Sequence, residues 1–307
     1  MRYGITRLAL GAQPFIEITP QHFGQIRDAK QNLVLTLEIE EKFDIFIENY
    51  VEFEETLLGL TLRHMVFTDY AWGSFLLNVR IVNRRIANLL STARLYTDQV
   101  KHDVASLYGP NSTALSHFTQ HLASAYDSSF SYRLLEELRN RLQHRSLPLS
   151  GISFPWRWEE TKAPPLLRHA IVPIVNVSEL QSDRKLKRKI VAEARELGSR
   201  FNLTPHIRQY VGLLAEAQEQ LRLEMAGDVA SWETRIVEVL DGSREEFKGR
   251  LTGLGIVAEK NDGIYSESHE VFEDLILHRK ALLEKNRSFK KFAQRYVSGE
   301  ATEPSPA

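Results

Sequence analysis

The stretch from Tyr70 to Ser106 constrains the fold more than any other. Trp72, Phe75, Leu76, Val79, Val82, Ile86, Leu89, Leu90 and Ala93 recur at spacings of three and four, the period of a helix buried along one face. Arg80, Arg84, Asn88 and Ser91 fall elsewhere on the cylinder. At about 1.5 Å per residue such a helix reaches about 50 Å, long enough to flank a whole bundle. A helix of that length must bury its apolar face against other elements, so the expected fold class is mainly α.

The neighbouring segments repeat the pattern. Upstream, a helix is expected from Leu37 through Phe43, Phe46, Ile47, Tyr50, Phe53, Leu57 and Leu60. Before it, Gly11, Pro14, Pro20 and Gly24 suggest an irregular arm to about Gln31 with a short helix after Pro20. Thr68-Asp69 offers an N-cap for the long helix and Gly109-Pro110 ends it. Another helix spans roughly Thr113 to Tyr126. The chain from 147 to 181 changes character: Leu147–Trp158 and Arg168–Val177 read as a short two-stranded sheet. Helices then resume. Ser182-Asp183 caps a basic helix that stops at Gly198, and Thr204-Pro205 opens a long one towards Leu240. Gly253–Ser266 reads as a hairpin around Asn261-Asp262-Gly263, and a last helix runs from His269 to Tyr296. These readings divide the chain into a bundle with its arm (1–146), a β/loop connection (147–181), a helical C-terminal region with short β-hairpin elements (182–297) and a disordered tail (298–307).

The chemistry concentrates in one stretch, Tyr132 to Arg145. Phe130, Leu134, Leu135, Leu138 and Leu142 set a helical apolar face, and Leu147-Pro148 ends the helix near Ser146. Glu136, Asn140 and His144 form a polar stripe roughly opposite Leu138, with Arg139, Arg141 and Arg145 around it. Arg139-Asn140-Arg141-Leu142-Gln143-His144 resembles the signature of the HEPN superfamily: arginine, a polar residue, a few more residues, then histidine. That resemblance implies an N-terminal HEPN-like helical bundle and, in many members, metal-independent ribonuclease activity in toxin–antitoxin and phage-defence systems. It covers the first half of the chain. The pattern recurs at Arg200 to His206, where Pro205 interrupts it and no continuous helix joins its two ends.

The expected function is therefore endoribonuclease chemistry, with Arg139, Asn140 and His144 as catalytic residues and Glu136, Arg141 and Arg145 in support. Histidine suits proton transfer near neutral pH, and arginine offers permanently charged donors matched to phosphate oxygens. Asn140 lies one turn before His144 and is placed to orient its ring. Arg139 and His144 are about 140° apart on an ideal helix, so a composite site shared by a homodimer is expected. RNA is the expected partner, with an antitoxin or regulatory protein as a further one. Arg184, Lys185, Lys187 and Arg188 are candidates for the RNA backbone.

Composition narrows the alternatives. A net charge of −1 gives no general pull on nucleic acid, so RNA contact requires a local patch. The chain has no cysteine, which removes disulfides, thiol catalysis and cysteine-type zinc sites. His117 and His121 form an i, i+4 pair, but Phe118 stands where a zinc protease would carry glutamate. No cofactor and no metal are expected. No apolar run is long enough to cross a bilayer and the N-terminus leads into no signal-like core, so a cytoplasmic protein without a membrane partner is expected. Trp156 and Trp158 read as packing residues of a strand, with base stacking as the functional alternative. The rival to the nuclease is a non-catalytic dimerisation or partner-docking scaffold. A third reading is a nucleotide-binding module in which Arg139 and Lys185 or Arg188 hold phosphates.

Overall fold

The computed structural model describes residues 1–69, 71–144, 147–160, 164–183, 185–261, 264–287 and 292–295. It is mainly helical with short antiparallel strands. In chain order the elements are β1 (Arg2–Arg7), β2 (Phe15–Glu17), α1 (Pro20–Phe67), α2 (Trp72–Tyr108), α3 (Thr113–Ser128) and α4 (Phe130–His144). They continue with β3 (Gly151–Ser153), β4 (Trp156–Glu159), β5 (Leu166–His169), β6 (Val172–Asn176), α5 (Val177–Ser182), α6 (Arg188–Glu196) and β7 (Arg200–Asn202). The last are α7 (Thr204–Ser243), β8 (Leu254–Asn261), β9 (Ile264–Glu270) and α8 (Asp274–Lys285).

Two compact units share these elements. The first comprises Met1–Ile45, Leu95–Thr119 and Glu219–Arg287, the second Phe46–Arg94, Gln120–Gln218 and Ser288–Ala307. Each therefore draws on both sides of the change in composition at residue 147.

The first unit holds a four-stranded antiparallel sheet in the order β2-β1-β8-β9. The irregular arm expected before Gln31 is thus corrected: Tyr3 and Ile5 pair with Ala258 and Ile256. No local pattern announces a partner so distant in sequence. The helix after Pro20 is not short either. Thr19 Oγ1 accepts from the His22 amide at 3.1 Å, with Pro20 at the first helical position, and α1 then runs without a break through the expected start at Leu37. Phe23, Ile26, Leu33, Ile39 and Phe43 face the core, against Tyr96, Val100, Leu221 and Met225. The last helix is shorter than expected, because β8 holds the chain extended as far as Glu270. The tail 298–307 and the Asp262-Gly263 turn lie outside the described residues.

The second unit packs Phe46, Phe53, Val82, Ile86, Leu89 and Leu90 with Leu134, Leu135, Leu138, Ile207, Tyr210 and Leu214. Thr68, at φ +47°, ends α1. Asp69 then caps α2, accepting from the Ala71 amide at 2.8 Å and from the Ser74 hydroxyl. The single two-stranded sheet expected after residue 147 is replaced by two sheets, β3-β6-β7 and β4-β5. The basic helix begins later than expected: Ser182 ends α5, Asp183 Oδ1 accepts from the Lys185 amide at 3.1 Å, and α6 starts at Arg188. The buried Leu186 holds that turn in place of a helix. Gly198, at φ +104°, ends the segment as its sequence requires.

Candidate functional site

Helix α4 lies wholly in the second unit. Ser129 Oγ accepts from the Tyr132 amide at 3.2 Å and caps it. Arg133, in its first turn, is a structural clamp that the sequence pattern does not single out. Its Nη2 and Nε donate to Glu193 at 2.7 and 3.3 Å, and its Nη1 donates to the carbonyls of Tyr126 and Asp127 at 2.7 and 2.6 Å. One guanidinium thereby holds the C-terminus of α3, α4 and α6 together.

The next turn is also committed to the fold. The buried Tyr210 hydroxyl donates to Glu136 at 2.8 Å, and Arg94 Nη1 lies 4.0 Å from the same carboxylate. Burial, reinforced by the Glu136 charge, pushes the Tyr210 hydroxyl well above its ordinary range, so it stays a neutral donor. Support of His144 by Glu136 has no counterpart among the described contacts: the carboxylate is engaged by α7 and α2. Glu137 lies 3.5 Å from Lys187 Nζ. Lys187 also donates to the Tyr126 hydroxyl and sits 4.9 Å over that ring. The Tyr126 hydrogen bond holds this ammonium above its ordinary range. Lys187 is thus engaged within the fold while its side chain stays exposed. Lys185 and Arg188 are exposed.

The last turns differ. Arg139 is half-buried; its Nη1 donates to Gln143 Oε1 at 3.1 Å. Its Nε is buried with no hydrogen-bond partner among the described residues. Asn140, also half-buried, has no side-chain partner among them either. Arg141 Nη2 lies 4.0 Å from Glu179. His144 is the last residue of α4. Its side chain, and Arg145 and Arg184 entirely, lie outside the described residues.

Arg139 stands apart from the other arginines drawn into the protein. Arg133, Arg208, Arg222 and Arg279 each meet a carboxylate, of Glu193, Glu54, Glu40 and Glu233 respectively. The hydrogen-bond acceptor of Arg139 is a neutral amide. The Nη1 end of the guanidinium reaches the surface, where it can receive an anion with two oxygens, such as a phosphodiester.

The other residues weighed in the sequence fall into place. Arg200 lies in β7 and His206 in α7, so no helix joins them, and His206 Nδ1 is 2.8 Å from the buried Ser131 hydroxyl. His117 Nδ1 pairs with Glu224 at 2.7 Å. Among the described residues no group of three or more metal-ligating side chains converges. Trp156 and Trp158 are not packing residues: they are 61% and 51% exposed on one face of β4. Comparison of the chain with protein-family models, curated proteins and solved structures finds no match in any of the three. The class supported by fold and site together is a mainly helical protein whose polar chemistry gathers at the end of one helix.

Proposed function

We propose that this protein is a metal-independent endoribonuclease of the HEPN type, acting at the C-terminal end of α4. The observation that carries the reading is the state of Arg139 and Asn140. In a helix whose preceding polar residues are tied to the fold, these two keep donors and acceptors for a ligand.

Arg139 holds the non-bridging oxygens of the scissile phosphate and balances the charge that grows in the transition state. His144 takes the proton from the 2′-hydroxyl, whose oxygen attacks phosphorus as the bond to the 5′-oxygen breaks. An imidazolium supplies the proton to that leaving oxygen. The products are a 2′,3′-cyclic phosphate and a free 5′-hydroxyl, with no change of oxidation state. Asn140 positions the imidazole or the phosphate. A second copy of the chain supplies the second histidine, since Arg139 and His144 diverge around the helix. RNA is the substrate, and a regulatory protein or antitoxin covers the site until it is needed.

A non-catalytic docking scaffold is the second reading, favoured by the structural use of Arg133, Glu136, Glu137 and Lys187 on and around the same helix. The two separate on cleavage of cellular RNA in excess EDTA by wild type, Arg139→Ala and His144→Ala. The nuclease reading expects chelator-resistant cleavage by the wild type alone, leaving cyclic phosphate ends. Activity that survives in either variant removes those residues from the chemistry. Full inactivity of a wild type that is also harmless when expressed in cells favours the scaffold.

A further inference from the structure

One end of the second unit carries an apolar surface that the nuclease reading does not use. On α1, Leu58, Leu62, Met65 and Val66 are exposed at spacings that share a face, and Phe67 ends the helix 68% exposed. Across the turn, Trp72 is 71% and Leu77 57% exposed. The β4–β5 hairpin adds Trp156, Trp158 and Leu167.

These pieces adjoin. Phe154, at the root of the hairpin, lies 4.3 Å from His64 of α1 and 6.4 Å from Phe75 of α2, ring centre to ring centre. The Ile171 amide donates to Thr61 Oγ1 at 3.1 Å. A groove of about 490 Å3 runs between Leu58 and Met65 on one side and Leu167 and His169 on the other. Monomeric proteins rarely expose contiguous apolar patches beyond about 300–600 Å2, and larger ones mark a binding surface.

Composition and charge choose the occupant. Three of the four tryptophans in the chain lie on this end, and tryptophan is the side chain that prefers the boundary between headgroups and acyl chains. Behind the apolar residues comes a cationic belt. Arg80 and Arg84 are exposed on α2, about 12 and 18 Å behind Trp72 along the helix axis and about 80° and 120° round it. No acidic residue occurs between Trp72 and Thr97. Arg63 lies 5.6 Å over the Phe67 ring on α1. Of the nearby acids, Asp69 caps α2, Glu159 is bound to Arg168 at 2.7 Å and Glu54 to Arg208 at 2.6 Å, and Glu55 and Glu160 are exposed. Aromatic and aliphatic groups at the tip with arginines one to three turns behind match a headgroup region, apolar below and anionic at the phosphates.

We propose that the α1–α2 turn and the β4–β5 hairpin form a membrane-docking tip. Phe67, Trp72, Leu77, Trp156 and Trp158 enter the interface of an anionic bilayer, and Arg63, Arg80 and Arg84 meet its phosphates. The contact is with the surface: no described helix is long and apolar enough to cross a membrane. The expectation of no membrane partner came from spanning length, which does not bear on this mode. The proposal is independent of the nuclease reading.

The test uses the full chain with vesicles of phosphatidylcholine, alone or mixed with phosphatidylglycerol, followed by flotation and tryptophan emission. The wild type is expected to float with the anionic vesicles and to shift its emission to the blue. Phe67→Ser with Trp72→Ser is expected to lower partitioning by at least about tenfold. Arg80→Gln and Arg84→Gln are expected to lower it by about fivefold each on anionic vesicles and little on phosphatidylcholine alone. All four positions are exposed, and an unchanged far-ultraviolet dichroism spectrum confirms that the variants are folded. No flotation, or flotation indifferent to Phe67 and Trp72, overturns the proposal. So does a blue shift that needs only higher protein concentration, which assigns the tip to a second copy of the chain. A change of emission with single-stranded RNA and none with vesicles overturns it in favour of base stacking.

Discussion

Replacing Arg139 with methionine should change the stability of the protein little, while abolishing RNA cleavage. The balance follows from the contacts. Arg139 Nε is buried without a partner among the described residues, and leaving such a donor unsatisfied costs about 1–3 kcal/mol. Methionine removes the donor and keeps most of the apolar stem. The variant loses the exposed bond to Gln143, worth about 0.5–1.5 kcal/mol, and a screened attraction to the Glu136 neighbourhood of at most about 1 kcal/mol. The net change lies between a loss of about 1.5 and a gain of about 2.5 kcal/mol, centred near zero. Arg133→Met, two turns earlier, supplies the contrast. It breaks the pair with Glu193 and strips two carbonyls of their donor, a loss of about 3–5 kcal/mol. Urea denaturation followed by far-ultraviolet dichroism measures both. A destabilisation by Arg139→Met comparable to that of Arg133→Met would refute the reasoning, because Arg139 would then be a structural clamp and the scaffold reading would gain. A stabilised, inactive variant is the pattern expected of a residue kept for its ligand at the expense of the fold.

Three further outcomes are expected. In the first unit, Arg222 donates to the fully buried Glu40 and to the Asn286 carbonyl at 2.9 Å, so Arg222→Met leaves a buried carboxylate and costs about 3–5 kcal/mol by urea denaturation. Burial lowers the pKa of His206 from its ordinary 6.5, so the folded chain keeps this imidazole neutral while the unfolded chain takes up a proton. Its contribution is therefore whole above pH 6.5 and declines as pH falls from there towards the folded-state pKa; His206→Gln should flatten that part of the stability profile, and an unaltered slope would assign it to other groups such as His64, which burial also lowers. Finally, a Cβ at Gly4 would lie 2.2 Å from the Phe15 ring and 2.9 Å from the Ile16 carbonyl, so Gly4→Ala should force β1 and β2 apart and lower the thermal midpoint, by about 1–3 kcal/mol in stability.

The elements that were legible in the sequence are those whose order is local. Helices α2, α3, α4 and α7 follow their three-and-four spacing, and their ends follow Gly109-Pro110, Ser129 and Thr204-Pro205 within a few residues. Gly198 ends its segment for the same kind of reason. What escaped is what depends on a distant partner. β1 reads as an arm because its partner, β8, is about 250 residues away, and His269 and Glu270 at the end of β9 read as the start of a helix until β8 holds them extended. Thr19-Pro20 carries the same start signal as Thr204-Pro205, yet the glycines and prolines around it obscured how far the helix continues. Trp156 and Trp158 alternate as strand residues should, but alternation fixes only that they share a face. Whether that face is covered is a tertiary fact.

The same division runs through α4 itself. In the sequence its polar stripe reads as uniform: Glu136, Asn140 and His144 lie roughly opposite Leu138 with Arg139 beside them, and the charges Arg133 and Glu137 flank it. In the structure the stripe is split. Its first half is covered by groups from four other helices, Tyr126, Glu193, Tyr210 and Arg94, and each of its charges is answered there. In its second half, among the described residues, Arg139 receives only Gln143 of its own helix and Asn140 has no side-chain partner. Arg139 and Arg279 both carry an Nε that is dry and unanswered among the described residues, but Arg279 also meets the carboxylate of Glu233, whereas the hydrogen bond of Arg139 goes to a neutral amide. The first half anchors the helix to α2, α3, α6 and α7, and in the last turns Arg141 adds a contact with Glu179 at 4.0 Å. On the nuclease reading proposed above, that anchoring is what would hold the exposed Nη end of Arg139 in place for a phosphate.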